Sequence, residues 1–291
     1  MARLFGLISN RADLTVRILA HEADALRVRS GSSLGWGVGF VQGGEVLMRR
    51  RPVDDRPDLD VGSMFTDVRT DFLLGHVRRA TVGALRPENT HPFRYRQWLF
   101  AQTGTVEKFD QVRDKLLESV PEFLRSGIRG ETDAEVVFHI FLSFLHDAGQ
   151  VEETSIKTTN EAIRSTLALL DAAAAEAGAD SSSLNILVGN GEMLVAANRG
   201  ARMAYRLFHG KHDAEALIGD DINLRRKIPE LNQMHAVLVA SDFGPVSAVV
   251  SPSSPPSSVD PKRAPGAPWV TVPERSLVVL ERGAAPVLDT L

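Results

Sequence analysis

The sequence predicts an α+β fold, because strand-like and helix-like segments follow one another in separate blocks along its 291 residues. Short apolar runs punctuated by Gly and Pro fill residues 1–106, as strands and turns do. Longer segments with helical periodicity fill residues 107–178. Strand-like runs return after residue 183. Such segregation is typical of α+β proteins.

The first block is expected to consist mainly of strands. Gly43 and Gly44 stand between two apolar runs and predict a hairpin turn. One helix is predicted over residues 14–28, where apolar side chains recur at helical spacing. The predicted strands of this block span residues 4–8, 36–41, 45–49, 72–76 and 98–102.

The second block is expected to be helical. A helix is predicted over residues 107–124, with Pro121 bending or ending it. Thr132 and Glu135 have the spacing of a capping box, in which an N-cap side chain and a Glu three residues later exchange hydrogen bonds with the backbone. This spacing predicts a helix over residues 134–145.

A second capping box is predicted at Thr158 and Glu161. It opens a long helix that runs to about residue 176 and ends at Gly178, since glycine commonly follows a helix C-terminus.

The last block returns to strands, predicted over residues 184–188, 193–198, 204–208, 236–241 and 276–281. Asn190 and Gly191 predict a hairpin turn between the first two of these strands. Residues 244–268, rich in Pro and Ser, are expected to form an irregular exposed connection. The whole chain, residues 1–291, is predicted to be a single domain.

Composition limits the classes of function. At 43% hydrophobic and 24% charged residues, the chain can bury one large core or two modest ones. A net charge of −4 gives no electrostatic reason to expect nucleic acid or a membrane surface as partner. With no Cys, and no His pair at ligand spacing with a third ligand, no metal or other cofactor is predicted. No apolar run is long enough to span a bilayer and no signal peptide is recognised, so the expected location is the cytoplasm.

Four parts of the first half carry a family resemblance. They are residues 1–6 (MARLFG), 35–40 (GWGVGF), 75–93 (beginning GHVRRATVG and ending NTHPF) and 131–135 (ETDAE). Their order and spacing resemble those of the class II glutamine amidotransferases, a branch of the N-terminal-nucleophile hydrolases. The resemblance implies a four-layer αββα sandwich, with two sheets between two helix layers.

The resemblance also implies a substrate-binding site. Arg78 would bind the α-carboxylate of a glutamine-like ligand, and Asp133 its α-amino group. Thr81 and His91 fall near that pocket, and Gly104 at the oxyanion position. Without the resemblance, Asp133 is simply an acidic residue in the first turn of a predicted helix, where the helix dipole stabilises a negative charge. Arg78 is a cation in an apolar strand, which calls for an anionic partner.

Two departures from the family pattern concern catalysis. Ala2 stands where active members carry a nucleophilic Cys, and Thr103 stands where they carry the Asn of His-Asn-Gly. A methyl group cannot attack an amide, and the loss of one oxyanion donor costs roughly 10²–10³ in rate. No catalytic residue is therefore expected, and glutaminase activity is predicted to be absent.

Three functional hypotheses follow. The chain is a degenerate family member that binds glutamine, glutamate, a γ-glutamyl compound or a protein partner, as a regulatory or scaffold subunit. Alternatively, it is an active glutamine or γ-glutamyl amide hydrolase represented here with Cys replaced by Ala at position 2. The third hypothesis is a hydrolase that uses Thr103, Thr105 or Ser9 as nucleophile, although the sequence supplies no base for any of them.

Overall fold

A computed structural model describes residues 2–29, 34–56, 58–78, 84–151, 154–226, 228–244, 246, 249–253 and 265–291. Its strands are β1 (Arg3–Ser9), β2 (Val28–Arg29), β3 (Leu34–Gln42), β4 (Glu45–Asp54), β5 (Asp58–Leu59), β6 (Phe72–Arg78), β7 (Phe93–Tyr95), β8 (Trp98–Gly104), β9 (Leu184–Gly189), β10 (Met193–Arg199), β11 (Met203–His209), β12 (His235–Ser241), β13 (Val249–Val250), β14 (Trp269–Val272), β15 (Ser276–Glu281) and β16 (Val287–Thr290).

The α-helices are α1 (Thr15–His21), α2 (Ala23–Leu26), α3 (Phe109–Glu118), α4 (Glu122–Arg125), α5 (Asp133–Asp147), α6 (Ile156–Glu176), α7 (Gly210–Ile218), α8 (Ile222–Arg225) and α9 (Ile228–Leu231). Two short 3₁₀ helices lie at Gly62–Phe65 and Pro87–Asn89.

Two large sheets stack face to face. The first has the strand order β13-β14-β11-β12-β1-β6-β3-β4, and the second β16-β15-β10-β9-β8-β7. Pairing is antiparallel throughout both, except that β13 runs parallel to β14. The chain's first strand, β1, therefore lies inside the larger sheet, between β12 and β6.

Three apolar cores separate the layers. In β1, Leu4 and Ile8 point into the core between the two sheets, whereas Phe5 and Leu7 pack with α1, α2 and α7 on the outer face of the first sheet. The third core joins the second sheet to α3, α5 and α6. This layering confirms the predicted α+β fold and its four-layer αββα sandwich.

The close approach of the sheets depends on a glycine. A Cβ atom built on Gly6 in β1 would lie 2.7 Å from Cδ2 of Leu194 in the opposite sheet. A larger side chain at this position would require Leu194 to move or the sheets to separate, since protein interiors are close-packed.

All ten predicted strands are confirmed, lying within β1, β3, β4, β6, β8, β9, β10, β11, β12 and β15. The predicted hairpin glycines Gly43 and Gly44 have φ values of 63° and 82°, which suit the turn expected there. The prediction missed several elements, among them α7 and the strands β7, β14 and β16, which are short or lack a clear alternation.

Three helix predictions need correction. The helix expected over residues 14–28 is two short helices, interrupted at Glu22, and residues 28–29 belong to a strand. The helix expected over residues 107–124 is α3 and α4, separated at Pro121 as the sequence indicated. The long helix α6 has its N-cap at Ser155, three residues before the predicted N-cap Thr158, and Ser155 accepts a hydrogen bond from Thr158 N at 3.1 Å.

The capping box at α5 is also wrong. Thr132 occupies the N-cap position, but its side chain makes no capping hydrogen bond. The carboxylate of Glu135 accepts instead from the backbone N–H groups of Arg129, at 3.0 Å, and Gly130, at 2.6 Å. Glu135 therefore holds the loop before the helix rather than the N-cap residue.

Within the connection over residues 244–268, Val249–Val250 form β13 and pair with β14. The last residues of the connection are held by Arg206, which donates to the carbonyl oxygens of Pro265, at 2.9 Å, and Ala267, at 2.8 Å. Arg206 also forms an ion pair with the buried Glu22. Residues 245, 247, 248 and 254–264 lie outside the described residues.

Candidate functional site

A cavity of about 90 Å³ lies at one end of the space between the sheets. The start of β1, the ends of β6 and β8, and the first turn of α5 surround it. Six of the residues predicted for the site line it: Ala2, Arg78, His91, Thr103, Gly104 and Asp133. The seventh, Thr81, lies outside the described residues.

Strand alternation explains why these residues meet. Leu74 of β6 and Ala101 of β8 belong to the core between the sheets. Because side chains alternate along a strand, His76 and Arg78 continue that face of β6, and Thr103 continues that face of β8. Ala2 likewise continues the face of Leu4 in β1. The cavity is thus the polar end of an otherwise apolar layer.

The backbone beside Ala2 is fixed by Arg3. The guanidinium of Arg3 donates to the carbonyl oxygens of Ala25, at 2.9 Å, and Asp242, at 2.6 Å. Burial lowers the pKa of Arg3 to about 10, which leaves it charged at neutral pH. Ala2 is therefore held at the cavity wall, where it presents only a methyl group.

Asp133 opens α5 and is buried beside the cavity. Its Oδ2 accepts from Val106 N at 2.8 Å and from Nε2 of Gln102 at 3.2 Å. Burial raises the pKa of Asp133, and these two donors oppose that rise by stabilising the anion. Gln102 is not among the residues that the sequence predicted for the site; its contact with Asp133 and its place in the cavity lining make it part of the site.

Arg78 ends β6 on the cavity wall. One of its nitrogens donates to Ala84 O at 3.2 Å. Burial lowers the pKa of Arg78, while the charge of Asp133 acts in the opposite direction. The cavity thus brings an arginine and a carboxylate together, as the resemblance implies.

Gly104 ends β8 in a conformation that excludes a side chain. Its φ is 91°, and a Cβ atom there would lie 2.0 Å from Ser183 O. Thr103, only 9% exposed, precedes it on the cavity wall. Thr105 also lines the cavity, whereas Ser9 lies at the far end of β1 and its hydroxyl bonds to Arg11.

Two buried histidines meet in the cavity wall. The Nδ1 atoms of His76 and His91 are 3.0 Å apart, with the rings nearly perpendicular. Such a contact needs one Nδ1 to donate and the other to accept, so the accepting ring is neutral; the lowered pKa values of both rings make the donating ring neutral as well. Burial lowers the pKa of His76 to about 3 and that of His91 well below its ordinary value.

Sequence reasoning missed His76, although its place two residues before Arg78 on the same strand face was a usable signal. Within the described ranges, the Nε2 atoms of both rings have no protein hydrogen-bond partner. The two rings therefore supply one Nε2 donor and one Nε2 acceptor beside the arginine and carboxylate.

Among the residues that the structure describes, no three His, Asp or Glu side chains are grouped so that they could hold a metal ion. The described helices include none with the length and apolar character needed to cross a membrane.

Comparison with protein families and curated proteins gives consistent matches. The sequence model of one protein family, the class II glutamine amidotransferases, matches residues 1–287. The probable glutamine amidotransferase DUG3 of Saccharomyces cerevisiae is 31% identical over 90 residues, which cover 31% of this chain and 25% of the yeast protein. The γ-glutamyl-hercynylcysteine sulfoxide hydrolase of Mycobacterium tuberculosis is 28% identical over 167 residues, 57% of this chain and 59% of that protein. The matches thus span less than two thirds of either relative.

Solved structures show the same fold. A glutamine aminotransferase class-II domain protein from Silicibacter pomeroyi superposes with a TM-score of 0.57 at 15% identity, over 99% of this chain and 98% of that one. Glutamine phosphoribosylpyrophosphate amidotransferase from B. subtilis gives a TM-score of 0.53 at 14% identity, over 99% of this chain and 49% of that one.

Proposed function

Because the chain belongs to the class II glutamine amidotransferases, we propose that it is a member without amide-hydrolase activity that binds a glutamine, glutamate or γ-glutamyl ligand. The observation that supports this most is that Ala2 lines the same cavity as Arg78 and Asp133. Arg78 and Asp133 could bind the ligand there, whereas Ala2 offers no side-chain nucleophile.

The absence of hydrolysis is argued from chemistry. Amide hydrolysis needs a nucleophile, a base and donors aimed at the developing oxyanion. Ala2 has no nucleophilic atom, and Thr103 has no amide N–H₂ to donate. Thr103 and Thr105 line the cavity, but the histidine Nε2 acceptor beside them is a weak base, because burial lowers the pKa of both His76 and His91.

Ligand binding is argued from charge and size. A guanidinium binds a carboxylate with two hydrogen bonds, and a carboxylate accepts from an ammonium group. The cavity is about six times the roughly 15 Å³ that a water molecule requires. It therefore suits an amino-acid head group, with any larger γ-substituent extending outside.

Thermal unfolding with added ligand tests the proposal. Glutamine, glutamate or γ-glutamylcysteine should raise the melting temperature, because a ligand at 100 times its Kd stabilises the native state by about 2.7 kcal/mol. The variant Arg78→Ala should abolish the shift. The matched control Arg113→Ala removes an arginine on α3 whose side chain is 40% exposed and should keep it. No shift with any of the three ligands at millimolar concentration contradicts the proposal.

The proposed role is that of a regulatory or scaffold subunit that acts through a protein partner. A protein that keeps its fold but lacks catalytic activity can still act by binding another protein through its surface. Affinity purification from the source cell tests this role. A partner recovered in fixed stoichiometry supports it, and its absence under conditions that preserve the fold contradicts it.

A second candidate is an active γ-glutamyl amide hydrolase whose encoded residue at position 2 is Cys. The similarity to a γ-glutamyl-hercynylcysteine sulfoxide hydrolase favours it. Sequencing the source gene at this codon decides between the two candidates, because Ala excludes the second and Cys excludes the first.

A further inference from the structure

A second, larger cavity of about 410 Å³ shares no lining residue with the first and has no role in the proposed function. Three arginines line it: Arg50 of β4, Arg94 of β7 and Arg129 in the loop before α5. Its volume falls within the roughly 300–1,000 Å³ typical of small-molecule sites.

The charge of this cavity favours an anion. Against its three arginines stand two acids, Glu88 and Glu135. Both oxygens of Glu135 already accept backbone hydrogen bonds, from Arg129 N and Gly130 N. Because the chain as a whole carries a net charge of −4, this grouping of arginines does not follow from overall composition.

Hydrogen bonds to backbone carbonyls define the positions of Arg50 and Arg94. Arg50 is half-buried and donates from Nη1 to Pro87 O at 2.9 Å. Arg94 donates to Val46 O at 2.7 Å and to Arg96 O at 2.8 Å, so its position at the mouth is also defined. Arginine presents several N–H donors in one plane, a geometry that matches carboxylate and phosphate oxygens.

The remaining wall includes two aromatic side chains and a histidine. Phe93 and Tyr95 lie on alternate positions of β7 and both face the cavity. His139 is held by Nδ1, which donates to Glu135 O at 2.8 Å, so its Nε2 is an acceptor in the neutral ring. Burial lowers the pKa of His139, which favours that neutral form.

We propose that this cavity binds a small organic oxyanion, a carboxylate or a phosphate ester, with the anion held by Arg50, Arg94 and Arg129. Its apolar body packs against Phe93 and Tyr95. This site is separate from the one proposed for glutamine-like ligands, and neither depends on the other.

Calorimetric titration of the full chain tests the proposal with three probes: phenyl phosphate, 3-phenylpropionate and inorganic phosphate. We expect phenyl phosphate or 3-phenylpropionate to bind with a Kd below about 1 mM, and comparison of the two identifies the preferred anion. Inorganic phosphate should bind more weakly than phenyl phosphate, because it lacks the apolar body.

Substitutions locate the binding. Arg129→Gln and Arg94→Gln change exposed side chains, and each should weaken binding by roughly 3- to 10-fold through loss of a charged hydrogen-bond donor. Arg50→Lys should weaken it similarly, since it keeps the charge but loses the planar donors. The control Arg113→Gln and the first-cavity variant Arg78→Ala should leave the Kd unchanged.

The proposal is overturned if neither phenyl probe binds at concentrations up to about 10 mM. It is equally overturned if Arg94→Gln and Arg129→Gln, verified as folded by circular dichroism, bind as tightly as the parent. Equal affinity for inorganic phosphate and phenyl phosphate overturns the role given to Phe93 and Tyr95. Loss of binding in Arg78→Ala would assign the probes to the first cavity instead.

Discussion

At the scale of single residues, the proposed lack of hydrolysis depends on Ala2 and Thr103. Both lie on the wall shared with Arg78 and Asp133. Nucleophile and oxyanion donor contribute to the same transition state, so restoring one without the other recovers little.

The variant Ala2→Cys is therefore expected to hydrolyse glutamine weakly or not at all. Ala2→Cys combined with Thr103→Asn should be faster by roughly 10²–10³, the usual contribution of one oxyanion donor. Ammonia release by the purified proteins measures this, with the inactive triple variant that also carries Arg78→Ala as control. If Ala2→Cys alone matches the double variant, Thr103 is not the limiting position.

The paired histidines predict a pH dependence. An exposed His has a pKa of about 6.5, whereas burial lowers the pKa of His76 to about 3 in the fold. The neutral rings therefore stabilise the native state fully above about pH 6.5, and this contribution is lost as the pH falls toward 3, by up to about 1.4 kcal/mol per pH unit and ring.

Urea unfolding between about pH 7 and pH 4 should show the free energy of unfolding of the parent falling more steeply than that of His76→Gln. His146→Gln is the matched control, because the His146 side chain is 51% exposed, and it should keep the parental slope. A His76→Gln slope equal to that of the parent would contradict the assignment.

Much of the lining of the first cavity could be predicted from the sequence. Arg78, His91, Gly104 and Asp133 were identified from a family resemblance, and the alternation of β6 and β8 explains why they converge. Gln102 and His76 were missed as site residues, because their importance lies in contacts between separate elements. No local sequence pattern predicts the contact between His76 and His91, or the hydrogen bond between Gln102 and Asp133.

At the scale of elements, α5 contributes to both cavities from successive positions. Asp133 faces the first cavity, while Glu135 and His139 face the second. The sequence predicted this helix but expected Glu135 to bond the backbone of the N-cap residue Thr132. A Glu at this position could bond either the N-cap residue or the loop before the helix. The path of that loop determines which backbone N–H groups the carboxylate reaches.

Replacing Glu135 by Ala should destabilise the fold by about 2–4 kcal/mol, because it removes two hydrogen bonds to a buried charged acceptor. Urea denaturation of the variant measures the change. Glu122→Ala, at an exposed position in α4, serves as control and should change the free energy of unfolding by less than about 0.5 kcal/mol. A similar small change in Glu135→Ala would show that the loop is held by other contacts.

At the scale of the whole molecule, the separation of the two sheets is set partly by Gly6, which faces Leu194 across the central core. The sequence could predict the strands and, by resemblance, their stacking, but not the partner of Gly6. Contacts across stacked sheets join positions almost 190 residues apart, and no periodicity encodes them.

The variant Gly6→Val should lower the free energy of unfolding by about 1–3 kcal/mol through overpacking. Combining it with Leu194→Ala should recover part of that loss, so that the two changes are not additive. Urea unfolding of both single variants and the double variant measures the coupling. Strict additivity would mean that the sheets accommodate Val without contact at Leu194.

The position of β1 has a consequence for synthesis on the ribosome. This strand is synthesised long before its partner β12, which ends at Ser241. At a translation rate of about 5–20 residues per second, the nascent β1 waits roughly 12 to 48 s before that neighbour has been synthesised. During this interval one hydrogen-bonding edge of β1 is unpaired, so we expect chains halted before residue 235 to be bound by chaperones that recognise extended apolar segments.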